Sequence, residues 1–111
     1  SSPHEIHYTL RWLSLLTGKV SCDLAASTGI HTGLDAVKAI LAGAKVVQFC
    51  STLFLNGLEQ IGTIKQETID WMESKGHEKL CDFRGKMSQA QSKNPSDYER
   101  LQYIKLFVGI D

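Results

Sequence analysis

The chain is poor in the features that mark most specialised protein classes. Neither sign of charge is in excess: Lys+Arg and Asp+Glu number 12 each, so the net charge is zero. No basic stripe supplies the phosphate contacts of a nucleic-acid binder, and that class of partner is not expected. Cysteine is scarce. Cys22, Cys50 and Cys81 are odd in number and far apart, which makes neither a disulfide framework nor a CxxC pair and points to a reducing, cytoplasmic location. No apolar run approaches the roughly 20 residues that cross a bilayer. The first residues lack a basic segment followed by an apolar one, so no leader or membrane anchor is expected. His4 and His7 share an HxxH spacing, but no third ligand falls in pattern, and no metal site is expected.

What is present fits one globular domain: 111 residues, of which 42% are hydrophobic and 22% charged. Ser2, Pro3 and Glu5 form a helix-start signature, with a capping box from Ser2 to Glu5 and proline at the first helical position. The spacing predicts a helix over 3–17, striped by Ile6, Leu10, Leu13 and Leu16 or Thr17, with Gly18 ending it in a left-handed conformation. A strand is predicted over 20–26 from the two-residue period of Val20, Cys22, Leu24 and Ala26. Thr32 and Asp35 then cap a helix of about ten residues whose buried face would be Leu34, Val37, Ile40 and Leu41, ending at Gly43. "KVVQFCS" has the continuous apolar, β-branched look of a strand covered on both faces. Two strands joined by a helical crossover read as a parallel βαβ unit.

A long helix is predicted over 58–75, capped by Asn56 with Glu59, striped by Leu58, Ile61, Ile64, Thr68, Ile69 and Met72, and stopped by Gly76. "HEKLCDFRGKMS" reads as a helical turn that packs Leu80 and Phe83 inward. "QAQSKNP" reads as a linker, and Ser96 with Glu99 opens a last helix ending near Gly109. Cys22 and Cys81 read as core fillers, Cys50 as a small buried thiol, Trp12 and Trp71 as packing residues, and Arg84 to Lys86 as a solvated turn. Two parallel strands alone leave unpaired edges, which implies either self-association or membership of a larger β/α architecture.

The chemistry concentrates at the ends of the two strands. "STGIHTG" and "CSTLFLNG" are loops of small and hydroxyl residues, the kind in which successive N–H groups approach a phosphate and a helix N-terminus adds partial positive charge. Plain turn chemistry is the competing reading of either loop alone. Adjacent parallel strands would bring both to one rim, as the loops after the last strands of a β/α barrel do.

At this point a resemblance carries further. "LAASTGIHTGLDAVKAILAGAKVVQFCSTLFLNG", followed by "WMESKGHEKLCDFRGKMS", resembles the C-terminal portion of the dihydroorotate dehydrogenase family in the order glycine loop, "GxDAxKxxLAGAxxVQ", long helix and "DFRGK" tail. It covers residues 10–88. The resemblance implies an α/β fold, the last two β/α units of a TIM (β/α)8 barrel over 1–90, followed by a linker and C-terminal helix over 91–111. It implies an FMN-dependent oxidoreductase that converts dihydroorotate to orotate in pyrimidine biosynthesis, with the flavin phosphate held by Thr28 and Gly29 of the first loop and Cys50 and Ser51 of the second. Thr28 stands where the family pattern has a glycine. The family's catalytic base, flavin-contacting lysine and orotate-binding asparagines would lie upstream of Ser1, so no catalytic residue is assigned and the isolated chain is expected to be inactive. The partners implied are FMN and a small pyrimidine, with further copies of the chain. The competing expectation is a non-catalytic, homo-oligomerising βα module. Another flavin oxidoreductase acting on pyrimidines would share every feature named.

Overall fold

The computed structural model describes residues 2–92; the predicted linker end and last helix lie outside them. The chain opens on a 3-10 turn, Pro3–Glu5, with the Ser2 to Glu5 capping box in place, and continues as helix α1, Ile6–Leu16. Gly18 takes φ 83°, as its position after the helix demanded. Strand β1 is Ala25–Ala26, helix α2 Gly33–Ala42 and strand β2 Val46–Val47. Helix α3, Ser51–Asn56, follows at once, and helix α4 is Gln60–Lys75. Single 3-10 turns at Leu80–Asp82 and Gln89–Gln91 complete the described chain.

β1 and β2 pair in parallel, Ala25 opposite Val46 and Ala26 opposite Val47, with α2 as the crossover. The ladder continues through Lys45 N–H to the Leu24 carbonyl and Gln48 N–H to the Ala26 carbonyl, both 2.7 Å. The strands are far shorter than the 20–26 and "KVVQFCS" segments predicted. A strand exists only where a neighbour completes its hydrogen bonds; residues 20–22 run as bends ahead of the ladder, which leaves Val20 and Cys22 exposed.

The core lies under α2. Ala36, Ala39 and Ala42 pack with Ile6, Leu13, Ala26, Ile30, Ala44 and Ile64, while Val37 and Ile40 pack with Phe83. The predicted face of α2 shifts accordingly, because Leu34 is exposed and its alanines take the crowded side. Small residues there let α4 come close: a methyl group on Gly33 would stand 3.0 Å from the Ile64 carbonyl oxygen and collide with the Glu67 side chain.

The tail laces this layer shut. Phe83 is fully buried, and the rings of Trp71 and His77 lie 4.9 and 5.1 Å from it. Gly85 and Met87 N–H donate to the Ile40 and Leu41 carbonyls, both 2.9 Å, and Arg84 Nε donates to the Ala44 carbonyl at 3.1 Å. Arg84 is therefore a clamp on the turn into β2, not part of a solvated turn. Leu80, predicted inward, is exposed because the turn commits its inner position to Phe83.

Several other expectations change. All three cysteines are exposed free thiols. Trp12 is 57% exposed on the outer side of α1, with the Arg11 guanidinium 5.8 Å from its ring centroid, whereas Trp71 packs as expected. Leu16 is exposed too, so the α1 stripe ends at Leu13 and Leu15. α4 begins at Gln60 without a side-chain cap; Asn56 instead ends α3 and donates to Thr52 Oγ1 at 3.0 Å. Leu58 and Ile61 are consequently exposed, and Ile64 is the buried residue of that stripe. The start of the predicted linker is packed, with Gln89 buried in a turn beside α1. No helix among the described residues is long and apolar enough to cross a membrane.

Candidate functional site

Parallel pairing ends β1 and β2 side by side, so the loops that follow them face one another. Between them lies a cleft of about 330 Å³ lined by Ser27, Thr28, Ile30, Gln48, Phe49, Cys50 and Ser51. Its size is at the lower end of small-molecule sites. Of the four residues predicted to hold an anion, Thr28, Cys50 and Ser51 line the cleft and Gly29 does not. A Cβ at Gly29 would lie 2.7 Å from Ile6 Cα and collide with the Ile6 backbone nitrogen, so this glycine exists to let the loop pass under the start of α1.

Thr28 has the one positive φ of any non-glycine residue described, 79°, and Gly29 follows at 84°. For a β-branched side chain that conformation is a genuine outlier, costing on the order of 1–3 kcal/mol and persisting only where its surroundings impose it. They do so from α1: Thr9 Oγ1 donates to the carbonyls of both Ser27 and Thr28, at 2.9 and 3.1 Å. Thr28 also borders a second hollow, of about 380 Å³, on the outer side of α1 with Glu5, Tyr8, Thr9 and Trp12.

The first turn of α2 is turned to side chains and not to the cleft, whereas the sequence leads one to expect a helix N-terminus adding partial positive charge there. Thr32 Oγ1 accepts from Asp35 N–H at 3.2 Å, and Asp35 Oδ2 accepts from the N–H groups of His31 and Thr32, both at 3.0 Å. The Gly33 N–H goes to Glu67 Oε1 of α4 at 3.2 Å. Two carboxylates thus occupy the donors and the partial positive charge of that turn. The His31 carbonyl is held in turn by Gln60 Nε2 at 2.8 Å and Thr52 Oγ1 at 3.4 Å, which ties the end of the first loop to α3 and α4.

Among the described residues, no cationic side chain lines the cleft. An anion there would rest on backbone N–H groups and on the hydroxyls of Ser27, Thr28 and Ser51. Ser27 and Ile30 lie within the first loop without being expected as contacts, and Gln48 and Phe49 immediately precede the second. Thr9 carried a faint signal, a hydroxyl on the same side of α1 as Ile6 and Leu13. His4 lies in the opening 3-10 turn and His7 in the first turn of α1, and no group of three metal-ligating side chains occurs among the described residues.

No family model matches the chain. It is 44% identical over 59 residues to the probable dihydroorotate dehydrogenase A (fumarate) of Streptococcus pneumoniae, a match covering 53% of this chain and 19% of the relative. It is 35% identical over 72 residues to the dihydroorotate dehydrogenase (fumarate) of Kluyveromyces lactis, covering 65% of this chain and 22% of that protein. With the Saccharomyces cerevisiae protein of the same name it shares 37% over 60 residues, 54% of this chain and 19% of the relative. The chain therefore spans about a fifth of the length of the curated relatives it matches.

Proposed function

We propose that this chain is the flavin-phosphate-binding portion of an FMN-dependent oxidoreductase resembling dihydroorotate dehydrogenase, and that it forms the last two β/α units of a (β/α)8 barrel. The observation that supports this best is the cleft framed by the loops after two adjacent parallel strands. Similarity to proteins named dihydroorotate dehydrogenase, at 35–44% identity in the three relatives described, supports it independently.

The residues present suit the phosphate end of such a cofactor. The lining is rich in hydroxyls, and the first loop turns at Thr28 with its carbonyls held toward α1. When bound, FMN accepts the hydride removed from a dihydropyrimidine; this chain's part is to hold and orient it. Ser27, Thr28 and Ser51 would offer hydroxyl donors to the phosphate oxygens, and Phe49 and Ile30 would limit water on the apolar side. The groups that take a proton from the substrate belong to other strands of the proposed barrel, so the chain alone is expected to give no turnover.

The test is a chimera in which residues 10–88 replace the matching segment of the Streptococcus pneumoniae relative. The expected result is a folded protein that retains stoichiometric flavin and oxidises dihydroorotate. A folded chimera without flavin would overturn the reading, and turnover by the 111-residue chain alone would overturn the assignment of its missing groups.

A self-associating module without cofactor is the second reading. It is favoured by the exposure of Phe54, Leu55 and Leu58, at 87%, 72% and 73%, and by a sheet that has only two strands among the described residues.

A further inference from the structure

We infer that Thr9 of α1 is a positioning residue for the anion loop, acting by holding two consecutive carbonyls of that loop against α1 and so fixing the left-handed turn at Thr28, which borders the cleft; this rests on the flavin-phosphate reading above. One hydroxyl proton is shared by the carbonyls of Ser27 and Thr28, 2.9 and 3.1 Å away. Every peptide here is trans, so each carbonyl and the N–H of the same peptide point in opposite directions. Drawing both carbonyls to α1 therefore turns the N–H groups of Thr28 and Gly29 away from α1, side by side. Successive N–H groups directed to one side are the pattern of backbone anion sites, and of these two residues it is Thr28 that lines the cleft.

The same contact explains how a threonine persists at φ 79°. Glycine would take that conformation freely; a β-branched residue must be held in it. Gly29, pressed against the Ile6 backbone, fixes the next step of the turn. Thr9 and Thr28 thus form a coupled pair: the strained residue needs the hydroxyl, and a glycine in its place would not. The hydroxyl at Thr9 is accordingly a requirement created by the threonine at Thr28, and it touches no ligand itself.

The test uses the full chain and four variants, Thr9→Val, Thr9→Ser, Thr28→Gly and the Thr9→Val, Thr28→Gly double variant. Amide spectra are followed during titration with FMN and, separately, with riboflavin, which lacks the phosphate. The HN–Hα cross-relaxation within Thr28, strong only for positive φ, reports the turn directly. Thr9→Val is expected to abolish that signal and to weaken FMN about tenfold, the scale of one well-placed hydrogen bond, while riboflavin is unaffected. Thr9→Ser is expected to restore both, and with glycine at position 28 the effect of Thr9→Val should shrink to about twofold. A Thr9→Val protein that keeps the positive φ, or keeps its FMN preference over riboflavin, overturns the positioning role alone. Equal losses for FMN and riboflavin also overturn it, since they reveal a general structural effect. A wild-type chain with no preference for FMN over riboflavin overturns the flavin-phosphate reading, and the inference falls with it.

Discussion

The Gly33 N–H donates to Glu67 Oε1, 3.2 Å across the interface between α2 and α4. The two residues are 34 positions apart, and their contact turns the N-terminus of α2 inward, to a side chain, in place of a ligand. Replacing Glu67 with alanine removes one charge-assisted acceptor and should destabilise the chain by about 1–2 kcal/mol. Flavin-phosphate binding should be unchanged, because this turn lies outside the proposed site. Paired denaturant titrations and FMN titrations check the separation; parallel losses in both would show that the turn serves the ligand after all. Gly33→Ala should cost more, about 1–3 kcal/mol, since its methyl group meets the Ile64 carbonyl and the Glu67 side chain.

Thr28→Gly should stabilise the protein. The substitution relieves a left-handed β-branched residue, a strain of roughly 1–3 kcal/mol, against a loss of about 0.5–1 kcal/mol in unfolded-chain entropy. A net gain near 1 kcal/mol corresponds to a rise in melting temperature of about 4–8 °C for a chain of this size. A fall in melting temperature would mean that the threonine side chain makes contacts worth more than the strain.

The elements most readable in the sequence are those whose signals are local. α2 begins after Thr32, closes its capping box at Asp35 and ends at Gly43, as its letters indicate. The opening Ser2 to Glu5 box and the stop of α4 at Gly76 are equally local. The strands were less readable because a strand is defined by a neighbour: with no partner among the described residues beyond the two-residue ladder, residues 20–22 bend away and carry Cys22 to the surface. Trp12 misled for a related reason, since an aromatic on a helix reads as packing whether or not anything covers that face. The juxtaposition of the two loops followed from β–α–β order alone. That Glu67 closes the helix between them, and that Thr9 grips the first, depended on contacts spanning 34 and 18 or 19 residues, which no periodicity encodes.

Phe83 should be the most sensitive core position of the tail. It is fully buried against Val37, Ile40 and Trp71, and it anchors the segment whose N–H groups at Gly85 and Met87 bond to α2. Phe83→Ala should cost about 3–5 kcal/mol, a large share of the roughly 5–15 kcal/mol that stabilises a domain. Hydrogen exchange at Gly85 and Met87 should accelerate along with global unfolding. Unchanged protection at those amides would separate the tail from the core.

Asp82 ties stability to pH at the same tail. Its Oδ2 accepts from the N–H groups of Lys79 and Glu78, both at 3.0 Å. These bonds, that from Lys79 foremost, hold the carboxyl below its ordinary value of 3.8, helped by the nearby charges of His77 and Lys79. A carboxyl depressed on folding contributes stability at pH values above its unfolded-state pKa and loses it as pH falls through the folded-state value. Asp82→Asn should therefore be less stable than the parent at neutral pH, with the two curves converging below the parent's folded-state pKa. A difference that stays constant down to acid pH would assign the effect to shape and not to charge.

Phe54, Leu55 and Leu58 stand out on α3 and the turn into α4, exposed and close in sequence. Monomeric soluble proteins rarely leave such residues clustered at the surface. If copies of this chain meet through them, each fully buried side chain contributes about 1.5–3 kcal/mol. The Phe54→Ser, Leu58→Ser double variant should then raise the midpoint of self-association by about a hundredfold or more. Light scattering across a dilution series reads that midpoint directly, and the thermal unfolding of the diluted variant should match the parent's because neither side chain is part of the core. A parent chain that stays monomeric at every concentration, or a variant with an unshifted midpoint, would clear this patch of any role in joining copies and leave it to other strands of the proposed barrel.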